Sequence, residues 1–226
     1  MYNILRLMKN LFSTSIGKKF AMAISAIFLM IFLLQHFIIN ITSVFSEDIF
    51  NMLSHFMGTN PLVQFILQPI LIGGVLFHFI MGFYLEIQNR KAAKYEYQKE
   101  KGNANSTWMS RNMITSGLVI LAFLVLHFID FWIPEMNYKY IEFLPEDPNR
   151  YYEELVHKFE NPLRVIMYCL SFVLLALHLL HGFTSSLRSM GTNKSYVSSA
   201  KTAGIIYSIG IPLGFCIIAI FHYLNH

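Results

Sequence analysis

The sequence predicts an all-α integral membrane protein, a bundle of five transmembrane helices forming one membrane domain over residues 1–226. Three observations carry this. Of the 226 residues, 55% are hydrophobic and only 13% are charged, about half the roughly 25% charge of an ordinary soluble domain. The apolar residues, among them 21 Phe and 12 Met, are gathered into long runs rather than scattered. Five of those runs reach the length of about 20 residues that a bilayer span requires.

The runs cover roughly 20–41, 62–87, 113–133, 162–187 and 202–224. The second and fourth open on Asn60-Pro61 and Asn161-Pro162, an Asn cap before a proline in the first helical turn. Pro69 and Pro212 lie inside spans, where kinks are expected. Residues 134–161 form the longest loop, with an amphipathic helix expected over 151–160. Residues 1–12 set Ile4, Leu5, Met8, Leu11 and Phe12 beside Arg6 and Lys9, the pattern of a retained interfacial helix rather than a cleaved signal peptide.

Basic residues set the expected direction. Four precede span one, six lie between spans two and three and three between spans four and five, so 13 of the 17 share one side. By the positive-inside rule that side is cytoplasmic, with the N-terminus inside and the C-terminus outside. The other four (Lys139, Arg150, Lys158 and Arg164) share the far side with seven acids between Glu135 and Glu160. A net charge of +4, so dispersed, gives no basic patch for nucleic acid.

The chemistry lies in the histidines. His55, His157, His222 and His226 fall in the outer loops or at the outer end and need no special role. His36, His78, His127, His178 and His181 lie inside spans, where an ionisable side chain is costly and points to function. Depth sorts them. His36 is 17 residues past Lys19 and His127 is 16 past Arg111, so both sit roughly 25 Å from the charged edge. His78 is 12 residues before Arg90 and His178 is 10 before Arg188, roughly 18 and 15 Å up. His181 lies at only about 10 Å.

Two levels of paired histidines therefore emerge, an outer His36–His127 and an inner His78–His178. Two imidazoles from different helices are the axial ligand set of a low-spin, electron-transferring haem iron. The chain has two cysteines, Cys169 and Cys216, and no C-x-x-C-H, so two haem b groups held non-covalently are expected. Gly73, Gly74, Gly82 and Gly182 leave room near the ligands. His181 is the alternative ligand to His178. The two are about 60° apart around the helix and cannot both face one iron.

With these residues in view the chain resembles the cytochrome b membrane anchor of succinate dehydrogenase or fumarate reductase, in its single-subunit, five-helix, two-haem form. The likeness runs over nearly the whole chain. It rests on Ser15-Ile16-Gly17-Lys18-Lys19 leading into span one, one ligand histidine on each of spans one to four, and His178-Leu-Leu-His-Gly-Phe-Thr-Ser185. In relatives the first position of that last motif is the ligand.

The resemblance implies a bacterial inner membrane location, with a flavoprotein subunit and an iron–sulfur subunit docked on the cytoplasmic face. It implies electron transfer between the iron–sulfur clusters, the inner haem, the outer haem and a quinone, of the menaquinone type. Dicarboxylate chemistry would belong to the partner subunit. Candidate quinone-site residues are Gln35, Asn40, Asp130 and Trp132, and candidate haem-propionate partners are Arg164 and Arg188. Some two-haem relatives carry a glutamate two residues before the span-four ligand; Ala176 stands there. The alternatives are a haem b subunit of another respiratory oxidoreductase and a haem-free transporter using histidines as a proton relay.

Overall fold

A computed structural model describes residues 14–96 and 113–225, and among these the chain is helical with no strand. The elements are α1 (Ser15–Ile41), α2 (Glu47–Thr59), α3 (Gln68–Glu96), α4 (Met113–His127), α5 (Ile133–Tyr140), α6 (Arg150–Phe159), α7 (Pro162–Ser189) and α8 (Lys194–Leu224). Short 3-10 or π turns extend three of them. Five segments, Ser15–Val44, Val63–Lys91, Met113–Tyr140, Pro162–Ser189 and Ser199–Leu224, are long and apolar enough to cross a membrane, with mean hydropathy of 1.9 to 2.3. The chain is a multi-pass membrane protein. The expected interfacial helix at 1–12 lies outside the described residues.

Capping explains most of the boundaries. Thr14 Oγ1 accepts the Gly17 N–H at 3.1 Å, which starts α1 ahead of its apolar run. At the far end the Thr42 and Ser43 hydroxyls donate to the Ile39 and Asn40 carbonyls, and the last turn tightens to 3-10. Asn161 Oδ1 accepts the Leu163 and Arg164 N–H groups. Asn60 Oδ1 accepts those of Leu62 and Val63, so both Asn-Pro starts are as expected.

Helix α2 is not among the expected elements. Its signal is present in Ser46, whose hydroxyl accepts the Ile49 N–H at 3.3 Å, followed by Glu47 and Asp48 in the first turn.

Two prolines act through widened turns. A proline ring clashes with the carbonyl four residues back. For Pro69 that residue is Phe65 and for Pro134 it is Asp130, and each lies inside a π segment, Val63–Leu67 or Phe128–Trp132. The extra residue in the turn moves the offending carbonyl aside. The helix therefore runs through Pro134 to Tyr140, and the loop expected from residue 134 begins at Ile141. The amphipathic helix expected at 151–160 is α6, with Arg150, Leu155 and Phe159 buried. Pro212 lies within α8, fully buried.

Helices α7 and α8 pack most closely; α1 lies against α3, α7 and α8, α4 lies on α7, and α3 meets α4 only lightly. The buried core gathers at one end, where α2 and α6 cover the spans. It contains Phe50, Leu155, Phe159, Tyr168, Phe172, Phe215 and Ile218. His222, to which the sequence gives no special role, is buried there with its Nε2 2.9 Å from Ser43 Oγ. Asn51 Oδ1 accepts the Tyr152 N–H at 2.8 Å and ties α2 to α6.

Close approach of α8 depends on glycine. A Cβ on Gly214 would overlap the Phe37 ring, whereas one on Gly210 would meet nothing within 4 Å. Gly214→Leu should therefore destabilise the bundle by about 1–3 kcal/mol through overpacking, seen as a lower thermal midpoint in detergent. Gly210→Leu is the control and should leave the midpoint unchanged or higher.

Candidate functional site

The four helices α1, α3, α4 and α7 each bring a histidine toward one other histidine. His36 on α1 faces His127 at the end of α4, with ring centroids 5.8 Å apart and planes at 86°. His78 on α3 faces His178 on α7 at 6.4 Å and 66°. Tyr168 lies beside His127 at 6.4 Å. His178 is ten residues further along the same helix, so the two levels are separated by roughly 15 Å.

The spacing within each pair suits a shared metal. Two metal–imidazole bonds of about 2.0–2.1 Å, plus the ring radii, put the centroids roughly 6 Å apart. Among the described residues no three His, Cys, Asp or Glu side chains converge. Each level thus offers two imidazoles and no further strong ligand. That donor set is incomplete for zinc, which takes three or four protein ligands, and fits an iron whose other ligands come from a porphyrin.

The surroundings of the two pairs differ. Around the first, Phe32 stacks on His36 at 5.5 Å, Phe123 stacks on His127 at 5.8 Å, and Phe131 and Phe215 close the sides. Asn40 Nδ2 donates to the His36 carbonyl at 2.8 Å and lies 3.4 Å from His36 Nδ1. His127 Nδ1 is buried without a hydrogen-bond partner. Around the second pair, Ser25 Oγ is 3.0 Å from His78 Nδ1 and Ser116 Oγ is 3.1 Å from His178 Nδ1. Neither serine stands out in the sequence, since a serine in an apolar helix carries no signal of its own.

The glycines expected to leave room differ in what they face. A Cβ added at Gly73 would meet nothing within 4 Å, but Gly74 receives the Phe28 ring. Gly82 and Gly182 face Met22 and Met113. Gly117 comes nearest the site, its Cβ direction ending 3.9 Å from His178 Cε1.

His178, not His181, is the histidine of α7 that meets His78. His181 makes no ring contact with another histidine among the described residues. Arg188 is exposed in the last turn of α7. Arg164 is engaged elsewhere, with its Nη1 2.9 Å from Asp130 Oδ1. Asp130 is buried and also accepts the Tyr168 hydroxyl at 2.8 Å. The four quinone-site candidates do not converge. Gln35 points to Met57, Asn40 to its own helix, Asp130 to Arg164 and Tyr168, and Trp132 to Phe128.

Polar groups do converge in a cavity of about 290 Å³ beneath α2, between α5 and α6, lined by His55, Gln64, Tyr138, Lys139, Arg150 and Tyr151. Glu135 beside it pairs with Lys139 and Arg150, and Arg150 also reaches Glu154 at 2.6 Å and packs on the Tyr138 and Tyr151 rings. Burial works against the Arg150 charge, but hydrogen bonds to Glu135 and Glu154 outweigh it and hold its pKa above the ordinary value. Burial, helped by the Glu135 charge, pushes the Tyr151 phenol up to about 12. His55 Nδ1 is buried with no hydrogen-bond partner.

Comparison with protein families, with characterised proteins and with solved structures found no match to this chain.

Proposed function

We propose that the chain is the membrane-anchor, dihaem cytochrome b subunit of a succinate dehydrogenase or fumarate reductase. One haem b would be held by His36 and His127 and the other by His78 and His178. The observation that carries this reading is the pairing itself, in which four helices each supply a histidine and these meet two by two at two depths. When bound, each haem accepts and gives up a single electron at its iron. The chain's own residues supply the imidazoles, the aromatic walls around His36 and His127, and the exclusion of water.

The distribution of Lys and Arg supports a cytoplasmic N-terminus, and so a flavoprotein and an iron–sulfur subunit on that face of a bacterial inner membrane. We assign the quinone head group, menaquinone by the resemblance, to the cavity at His55, Gln64 and Tyr138 rather than to Gln35, Asn40, Asp130 and Trp132. The cavity gathers hydrogen-bonding groups at the His36–His127 end, and those four are dispersed. A proton-relay transporter is less well supported, because Asp130, the buried acid near the histidines, is already held by Arg164 and Tyr168.

A reduced-minus-oxidised spectrum of the purified chain, with haem quantified by pyridine extraction, tests the reading. Two b-type haems per chain are expected. Absence of b-type bands after haem supplementation would sink it.

A further inference from the structure

The two serines at the His78–His178 pair make the same arrangement from two different helices. Ser25 Oγ lies 2.8 Å from the Met22 carbonyl oxygen and 3.0 Å from His78 Nδ1. Ser116 Oγ lies 2.9 Å from the Met113 carbonyl oxygen and 3.1 Å from His178 Nδ1. A carbonyl oxygen can only accept, so the single hydroxyl proton of each serine is directed at its own helix. The serine oxygen is then an acceptor toward the imidazole. Nδ1 must carry the ring proton, and Nε2 keeps a bare lone pair. A serine bonded back to its own helix is common and needs no function. Two such serines, each also touching a facing histidine on a neighbouring helix, form a paired device.

Nothing equivalent serves the other pair. The Asn40 amide is 3.4 Å from His36 Nδ1, beyond the usual N–H hydrogen-bond range, and His127 Nδ1 has no partner.

We propose that Ser25 and Ser116 are positioning residues that hold His78 and His178 as Nδ1–H tautomers, with both Nε2 lone pairs presented to one iron. Their oxygens, by accepting from Nδ1–H, make both imidazoles more basic ligands, as hydrogen-bond partners behind metal-bound histidines do. The inference rests on the haem reading above. It adds that only one of the two centres is tuned in this way.

The test uses the purified full chain with haem, comparing wild type with Ser25→Ala, Ser116→Ala, Ser25→Thr and Ser116→Thr. The midpoint potential of each haem is read by optical redox titration, and haem retention by transfer to apomyoglobin. Each Ala variant should raise the potential of one haem and weaken its retention about tenfold or more, leaving the other haem unmoved. Either Thr variant, which keeps a hydroxyl, should stay near wild type. Unmoved potentials in both folded Ala variants, or a shift confined to the His36–His127 haem, would overturn the proposal.

A second readout needs no haem. Nitrogen-15 shifts of labelled histidine in the haem-free chain, assigned with His78→Gln and His178→Gln, should show protonated Nδ1 and bare Nε2 at both positions. Protonated Nε2 at either would overturn the proposal. If the wild-type chain takes up no haem, the haem reading falls, and the shifts still decide the tautomers.

Discussion

If the chain holds two haems as proposed, His178→Ala should remove one of them from the purified chain, while His181→Ala should leave both in place. The two residues are three apart on α7, and the sequence favours His178 while keeping His181 as the alternative ligand. Their surroundings are not equivalent. The His178 ring lies 6.4 Å from that of His78, with Nδ1 against Ser116. His181 is half-buried and meets no second imidazole among the described residues.

On that reading, loss of one imidazole would leave the proposed haem with a single protein ligand, expected as either an empty site or a high-spin spectrum in place of a low-spin one. His78→Ala should match His178→Ala, because both break the same pair. His36→Ala and His127→Ala should match each other and affect the other haem. Haem quantification with low-temperature spectra separates these outcomes. Loss of a haem in His181→Ala with none lost in His178→Ala would reverse the assignment. A matching of variants across levels, such as His36 with His78, would refute the pairing.

The largest effect expected on stability is at Asp130. Its side chain is 1% exposed, accepts the Tyr168 hydroxyl at 2.8 Å and pairs with Arg164 at 2.9 Å. Asp130→Ala leaves a guanidinium and a phenol without their acceptor. Removing one partner of a buried ion pair costs about 3–5 kcal/mol. Arg164 is 32% exposed near the start of α7, so it can bend toward the interface and recover part of its hydration. That sets the expectation at the lower end, about 3 kcal/mol.

The measurement is unfolding in mixed micelles, run as a double-mutant cycle with Arg164→Met. The double variant should be less destabilised than the sum of the two single variants, since neither charge is then left alone. A change under about 0.5 kcal/mol in Asp130→Ala would place the residue among ordinary surface positions. Because the Tyr168 ring packs beside His127, the same variant should also lower haem occupancy at that level.

The five spans were legible because the lipid phase demands long uninterrupted apolar runs, and such runs need no tertiary information. The pairing of His36 with His127 and of His78 with His178 followed from a constant helical rise, which converts sequence distance into depth. What depth does not supply is azimuth, the direction a side chain takes around its helix. For that reason Ser25, Ser116 and the Asp130–Arg164–Tyr168 contact were missed, and Gln35, Asn40 and Trp132 were grouped with Asp130 although they point elsewhere. Helix α2 was overlooked because its thirteen residues are shorter than a span, although Ser46-Glu47-Asp48 marks its start. The cavity at His55 could not be read from sequence, since it brings the ends of two spans, at Gln64 and at Tyr138, together with α2 and α6, which belong to no span.

The two π turns have a consequence for how this chain can vary. Each lies between a histidine and the polar end of the same span, at 128–132 beyond His127 and at 63–67 ahead of His78. One residue turns a helix by about 100°, so the widened turn gives the stretch on either side its own rotational setting. Gln64, within the 63–67 turn, and Tyr138 and Lys139, beyond the 128–132 turn, can face the cavity while His78 and His127 keep their aim into the bundle. Each of these two spans is thus a pair of separately indexed parts on one rod. Sequence drift around the cavity can proceed without disturbing the alignment of the imidazoles.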